Sequence, residues 1–134
     1  MSAVRIGDTL PDLAIAPIDR ASVQEYAAAS SDDNRLHLDD DYARSIGLAG
    51  AIVHGSYVMG LTERLLRNWS PAIEVRRIGF QFVRPVAHGT ALLITGRIAE
   101  LDANCASIRV TVRGADNAIR CIGMAECILP PQLT

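Results

Sequence analysis

The sequence lacks the features that mark membrane, secreted or nucleic-acid-binding proteins. It has no continuous apolar run of about 18 residues, the length that crosses a bilayer. Its first residues show no basic segment followed by an apolar one, so we expect no secretory signal. The formal net charge of the 134 residues is only −2, and the basic residues are scattered. We therefore expect a soluble cytoplasmic protein with no membrane or nucleic-acid partner.

Cysteine is also scarce. Cys105, Cys121 and Cys127 are the three in the chain, and none belongs to a C-x-x-C pair. An odd number without metal-ligand spacing gives no reason to expect a disulfide framework or a zinc site. The three fall in strand-like sequence and are predicted to be small buried hydrophobic residues in a reducing compartment.

Hydrophobic residues make up 49% of the chain, enough for one core, and we predict a single domain over residues 1–134. The periodicity predicts a strand over residues 12–18, a helix from a cap at residues 19–22 to Ser30, and a polar turn over residues 31–37. Asp39 is predicted to cap one helical turn that Gly47 ends. A longer helix is predicted over residues 53–69, with small residues near its start (Gly55, Ser56 and Gly60) that favour close packing on a sheet.

The second half of the chain has the alternating pattern of strands. Apolar residues recur at every second position in four runs that begin near Ile78, Leu92, Ile108 and Ile119. Short turns join these runs, so neighbouring strands are predicted to be antiparallel. The pattern indicates an α+β fold in which about five antiparallel strands wrap around a central helix. The strands are apolar on both faces, which predicts a homodimer or a higher homo-oligomer.

Two segments place chemically useful groups close together. Asp32, Asn34 and His37 share one polar turn, and the sequence HGS at residues 54–56 opens the long helix. A carboxylate and an imidazole that share a water, together with a helix N-terminus that polarises a carbonyl, can add water to an activated double bond. Taken singly, each residue is more often structural than catalytic.

These segments resemble a known family. Residues 26–37 (YAAASSDDNRLH) resemble the signature Y-A-x-x-S-G-D-x-N-P-[LI]-H of the MaoC-like (R)-specific enoyl-CoA hydratases and dehydratases. Residues 52–55 (IVHG) resemble the I-[AV]-H-G that begins the central helix in that family. The resemblance implies a hotdog fold and a hydro-lyase of fatty acid metabolism that interconverts 2-enoyl and (R)-3-hydroxyacyl thioesters. It implies no separate cofactor, because coenzyme A or an acyl carrier is part of the substrate.

The resemblance also implies roles for individual residues. Asp32 and His37 would be the catalytic acid–base pair, and the Gly55 backbone N–H would bind the thioester carbonyl. Asn34 is expected to brace the turn. For His54, a structural role is favoured over that of a second base.

Expected roles can also be stated for several residues outside the two motifs. Ser56 is expected to support the site. Thr62 is the nearest candidate for a hydroxyl that contacts the acid. The acidic residues 39–41 are interpreted as helix caps rather than metal ligands, and no metal is expected. His88 falls in a predicted turn and is expected to be exposed.

Two positions depart from the family signature. Ser31 stands where glycine is usual, and Arg35 stands where proline is usual. Arg35 is predicted to point away from Asp32, because an unpaired buried charge is costly. A hotdog thioesterase, or a non-catalytic subunit that binds acyl thioesters or completes a heterodimer, remains an alternative function.

Overall fold

The computed structural model describes residues 2–134, which form one five-stranded sheet and four α-helices. In chain order the elements are β1 (Leu13–Ile15), α1 (Arg20–Ser30), α2 (Arg35–Leu38), α3 (Asp40–Ser45), α4 (Gly55–Trp69), β2 (Glu74–Phe82), β3 (Leu92–Asp102), β4 (Cys105–Gly114) and β5 (Ile119–Ile128). No helix among these residues combines the length and the apolar composition needed to cross a membrane.

The strands lie in the order β1-β3-β4-β5-β2, and every neighbouring pair is antiparallel. Helix α4 buries the face that carries Val58, Thr62, Leu65 and Leu66. Its contact with the sheet is close at Gly96 of β3, where an added Cβ would lie 3.2 Å from Leu65 Cδ2. The predicted α+β fold, an antiparallel sheet packed on a central helix, is confirmed.

Short polar side chains set the helix boundaries, as the sequence predicts. The Asp19 carboxylate accepts a hydrogen bond from the Ser22 backbone N–H at 2.8 Å, which caps α1. The Asp39 carboxylate accepts one from the Tyr42 N–H at 3.1 Å and caps α3. Gly47 follows α3 with a φ of +97°, a conformation that favours glycine.

Four local predictions differ from the structure. Strand β1 is shorter than predicted, because Pro17 has no N–H to donate to a neighbouring strand. Residues 35–37, predicted as part of a turn, belong to α2. Helix α4 begins at Gly55 rather than at residue 53. Gly60 does not press on the sheet, since a Cβ there would meet no atom within 4 Å.

The cysteine prediction is right for two residues and wrong for the third. Cys121 and Cys127 are buried in the core, and burial raises the pKa of each thiol to about 11. These thiols stay protonated and unreactive near neutral pH. Cys105 is exposed, because it begins β4 directly after the turn at residues 103–104.

Candidate active site

The loop between α1 and α2 brings the acidic group of the site into position. Ser31 ends α1 in the left-handed conformation, with a φ of +59°. After this reversal, the Asp32 carboxylate accepts a weak hydrogen bond from the Asn34 N–H at 3.4 Å. The Asn34 side chain accepts one from the Leu36 N–H at 3.1 Å and so caps α2. This is the bracing contact that the sequence predicts for Asn34.

His37 lies on α2 and faces Asp32. Its Nδ1 is 3.0 Å from the backbone carbonyl oxygen of Ile52, and its Nε2 is 3.9 Å from Asp32 Oδ2. Because a carbonyl oxygen only accepts hydrogen bonds, Nδ1 carries the proton and Nε2 presents a lone pair. The carboxylate and Nε2 are then two acceptors, which do not hydrogen-bond to each other directly.

The two groups have different surroundings. The His37 side chain is 11% exposed, whereas that of Asp32 is 48% exposed. Burial lowers the pKa of His37 below its ordinary value, and this effect outweighs the hydrogen bond to Ile52, which raises it. The pair therefore consists of a solvated carboxylate beside a neutral imidazole at neutral pH.

His54 packs on this pair from the start of α4. Its ring stacks on the His37 ring, with centroids 3.8 Å apart and an interplanar angle of 22°. Its Nε2 lies 2.9 Å from the backbone carbonyl oxygen of Asp32. The His54 side chain is fully buried, and the centroid of the Tyr26 ring lies 4.8 Å from that of His54. The sequence predicts a supporting role for His54 but does not reveal these contacts.

The geometry does not suit a metal ion at this cluster. Asp32, His37 and His54 each place a ligand atom within 4.8 Å of the others. An imidazole binds a metal through a lone pair in the plane of its ring, and two stacked, nearly parallel rings do not direct their lone pairs to one point. The acidic residues 39–41 also do not converge: Asp39 caps α3, Asp40 pairs with Arg20, and Asp41 pairs with Arg44.

Gly55 is the first residue of α4, and the Phe82 ring occupies the space that a side chain at this position would take. An added Cβ would lie 2.7 Å from Cζ of Phe82, whose ring covers this position. His54, the N-cap, makes no capping hydrogen bond through its side chain. Ser56 accepts a hydrogen bond from the Tyr26 hydroxyl at 2.7 Å. Phe82 carries no sequence signal that marks it as a residue of the site. Tyr26 is the first residue of the signature-like segment 26–37, and its contact with Ser56 places it beside the start of α4.

A cavity of about 410 Å³ opens beside Gly55. Most of its lining is apolar, and Val58, Phe82, Val86 and Cys121 are among the residues that form it. Asp32 and His37 are not part of the lining.

Two other predictions fail at the edge of the site. The Thr62 hydroxyl is buried and has no hydrogen-bond partner in residues 2–134, so it does not contact Asp32. His88, predicted to be exposed, is half-buried with both ring nitrogens shielded from solvent. The turn that carries His88 packs back on the chain, since the Gly89 N–H donates to the Ile18 carbonyl at 2.6 Å.

Arg35 points away from Asp32, as predicted. Its guanidinium pairs with Asp39 at 3.1 Å and lies 4.5 Å from the centroid of the Tyr42 ring. The side chain is 68% exposed. Arg35 therefore adds an exposed ion pair at the start of α2 and not a charge within the site.

The antiparallel sheet packed on a central helix is a hotdog fold. The family model of the MaoC like domain matches residues 2–117, so the chain belongs to the MaoC-like domain family.

Three known proteins illustrate the similarity. The (R)-hydratase from A. caviae involved in PHA biosynthesis superimposes with a TM-score of 0.86 at 25% identity, covering 95% of this chain and 98% of that one. A UPF0336 protein of Streptomyces griseus is 26% identical over 118 residues, which cover 81% of this chain and 79% of that protein. The mitochondrial 3-hydroxyacyl-[acyl-carrier-protein] dehydratase of Arabidopsis thaliana is 28% identical over 90 residues, 67% of this chain and 53% of that protein.

The lowered pKa of His37 predicts a pH dependence of stability. The ordinary pKa of 6.5 applies to the unfolded chain, which takes up a proton at higher pH than the folded protein does. Neutral His37 therefore contributes to the free energy of unfolding above about pH 6.5, and this contribution is lost as the pH falls through the lower pKa of the folded state. Between about pH 7.5 and 5.5, the free energy of unfolding should fall more for the wild type than for His37→Asn. Urea denaturation at several pH values measures this, and equal pH slopes would contradict it.

The geometry at Arg35 predicts that proline is tolerated there. Arg35 is the first residue of α2, a position that suits proline, and Asn34 already has the extended ψ of 129° that a residue before proline needs. The exposed Arg35–Asp39 pair contributes at most about 1 kcal/mol. We expect Arg35→Pro to change the free energy of unfolding by less than about 1 kcal/mol, measured by urea denaturation. A loss of several kcal/mol would show that α2 depends on the arginine.

Proposed function

We propose that this protein is a hydro-lyase that interconverts 2-enoyl and (R)-3-hydroxyacyl thioesters. The observation that carries the proposal is the pair of acceptors 3.9 Å apart, the Asp32 carboxylate and the neutral Nε2 of His37. A water molecule has two protons to donate, so this pair can hold one and remove a proton from it. The (R)-hydratase and dehydratase among the similar proteins support the same reaction class.

In the hydration direction, the water held by Asp32 and His37 attacks the β-carbon of the double bond. Its oxygen forms the new C–O bond while the π bond of the alkene breaks, one of its protons passes to the pair, and the pair then delivers that proton to the α-carbon. Negative charge develops on the thioester oxygen during the attack. The Gly55 N–H, at the positive end of a 15-residue helix, stabilises that charge. Dehydration is the reverse of these steps.

The cavity beside Gly55 supports the proposal, because its lining suits the acyl part of such a substrate. A thioester carbonyl bound at the Gly55 amide would place its acyl chain next to apolar side chains such as Val58 and Phe82. An aliphatic chain gains free energy from leaving water for such a lining. The reaction adds water without net oxidation or reduction, so it needs no redox cofactor. The coenzyme A or acyl carrier protein is part of the substrate.

The catalytic pair predicts the effect of three substitutions. With purified protein and a panel of 2-enoyl-CoA chain lengths, Asp32→Asn and His37→Ala should each lower kcat by about 10²–10⁴-fold. The double variant should be little worse than either single variant, because the two groups act on one water. Loss of the enoyl absorbance measures hydration. Full activity in either folded single variant would contradict the assignment.

Two neighbouring substitutions serve as controls. Asp33→Asn removes the same charge one residue further along, and Arg35→Pro alters an exposed residue at the start of α2. Both should leave kcat close to that of the wild type. Release of free thiol in the same assay, without hydration, would instead indicate a thioesterase. Binding without either reaction would indicate a non-catalytic subunit.

We also propose that the chain acts as a homodimer. Strand β2 lies at an edge of the sheet, and at its end Phe82 and Val83 are 52% and 43% exposed although both are large and apolar. An edge strand with exposed apolar side chains is a surface that a second copy would cover.

Light scattering at micromolar concentration tests this assembly. We expect twice the mass of one chain, because the β2 edge and its apolar end would otherwise remain in water. A fully active monomer under these conditions would contradict the proposal.

A further inference from the structure

We infer that His54 is a positioning residue that holds the Asp32 backbone and the His37 ring in fixed positions relative to each other. It acts through its Nε2–H bond to the Asp32 carbonyl and through the face of its ring. The inference rests on the proposed function in so far as it assigns Asp32 and His37 to the reaction.

The loop that carries Asp32 has little else to hold it. Within residues 2–134, the side-chain hydrogen bonds that Ser30, Asp32 and Asn34 make around this loop join residues no more than four positions apart. The bond from His54 spans 22 positions and links the loop to α4. Asp32 is also half-exposed, so burial does not fix its carboxylate. The place of Asp32 relative to the rest of the site therefore depends on His54.

The same imidazole restricts His37. The His54 ring lies nearly parallel to the His37 ring, with centroids 3.8 Å apart, and so restricts movement of His37 toward α4. The hydrogen bond from His37 Nδ1–H to the Ile52 carbonyl restricts rotation of the His37 ring in its own plane. Tyr26 packs against His54, with ring centroids 4.8 Å apart, and limits the movement of the His54 ring. One buried ring thus contacts both members of the catalytic pair, and its displacement would change the 3.9 Å separation between them.

The protonation of His54 separates a positioning role from that of a second base. The Asp32 carbonyl accepts its hydrogen bond, so Nε2 carries the proton. Nδ1 is buried and has no hydrogen-bond partner within residues 2–134. Nδ1 therefore has no neighbouring group in residues 2–134 with which it could exchange a proton. We therefore assign no proton transfer to His54.

A matched pair of amide substitutions tests the role of the Nε2–H bond. In His54→Gln the side-chain NH₂ lies near the position of Nε2 and can still donate to the Asp32 carbonyl. In His54→Asn the same group lies near Nδ1 and cannot reach it. We expect kcat for 2-enoyl-CoA hydration to be on the order of 10²-fold lower in the Asn variant than in the Gln variant, with similar KM. Equal kcat in the two variants would overturn the inference. Thr62→Val, which changes another buried residue of α4, should retain the wild-type kcat.

Two readouts do not depend on activity. Amide hydrogen exchange of residues 31–34 should be faster in the Asn variant than in the Gln variant, and ring ¹⁵N shifts of wild-type His54 should show the Nε2–H tautomer. If the wild type does not hydrate enoyl thioesters but both readouts hold, the proposed function fails and the positioning role of His54 stands. If the exchange rates are equal, or if His54 carries its proton on Nδ1, the inference is wrong whatever the activity. The tautomer is measured on the wild type, so a proton on Nδ1 of His54 would overturn the inference even if neither variant folds.

Discussion

The arrangement of the site depends on the hydrogen bond between the His37 Nδ1–H and the Ile52 carbonyl oxygen. This 3.0 Å bond decides which nitrogen of the ring faces Asp32 and ties α2 to the segment that precedes α4. The Ile52 N–H in turn donates to the Leu36 carbonyl at 3.1 Å, so the two segments hold each other through both backbone and side chain. Burial of the ring then keeps Nε2 unprotonated at neutral pH. The tautomer and the orientation of His37 thus follow from one contact, and its charge follows from burial.

Much of the fold is predictable from local sequence, because its causes are local. Asp19 and Asp39 cap helices through residues three positions away, and the alternation of the later strands reflects a single buried face. Helix α2 is harder to predict, since its four residues are too few to show a period. Strand β1 is overestimated because the apolar residues on either side of Pro17 suggest a strand that the proline interrupts.

Most residues of the site could be predicted from the sequence, but the contacts between them could not. The spacing of Asp32 and His37 and the resemblance of the segment around them identify the pair. Neither gives the stacking of His54 on His37 nor the Phe82 ring on Gly55, because each of these contacts joins segments that only the folded chain brings together. The orientation of Arg35 follows from a preference of charge for solvent, and the structure adds its partners Asp39 and Tyr42.

The contact between Phe82 and Gly55 makes the effect of a substitution at one of these positions depend on the residue at the other. While a phenyl ring occupies position 82, a methyl group at position 55 would overlap it. A smaller residue at position 82 would remove that overlap, at the cost of apolar lining in the adjoining cavity. Substitutions at the two positions are therefore expected to be non-additive, because a side chain at position 55 requires the Phe82 ring to shift while that ring is present.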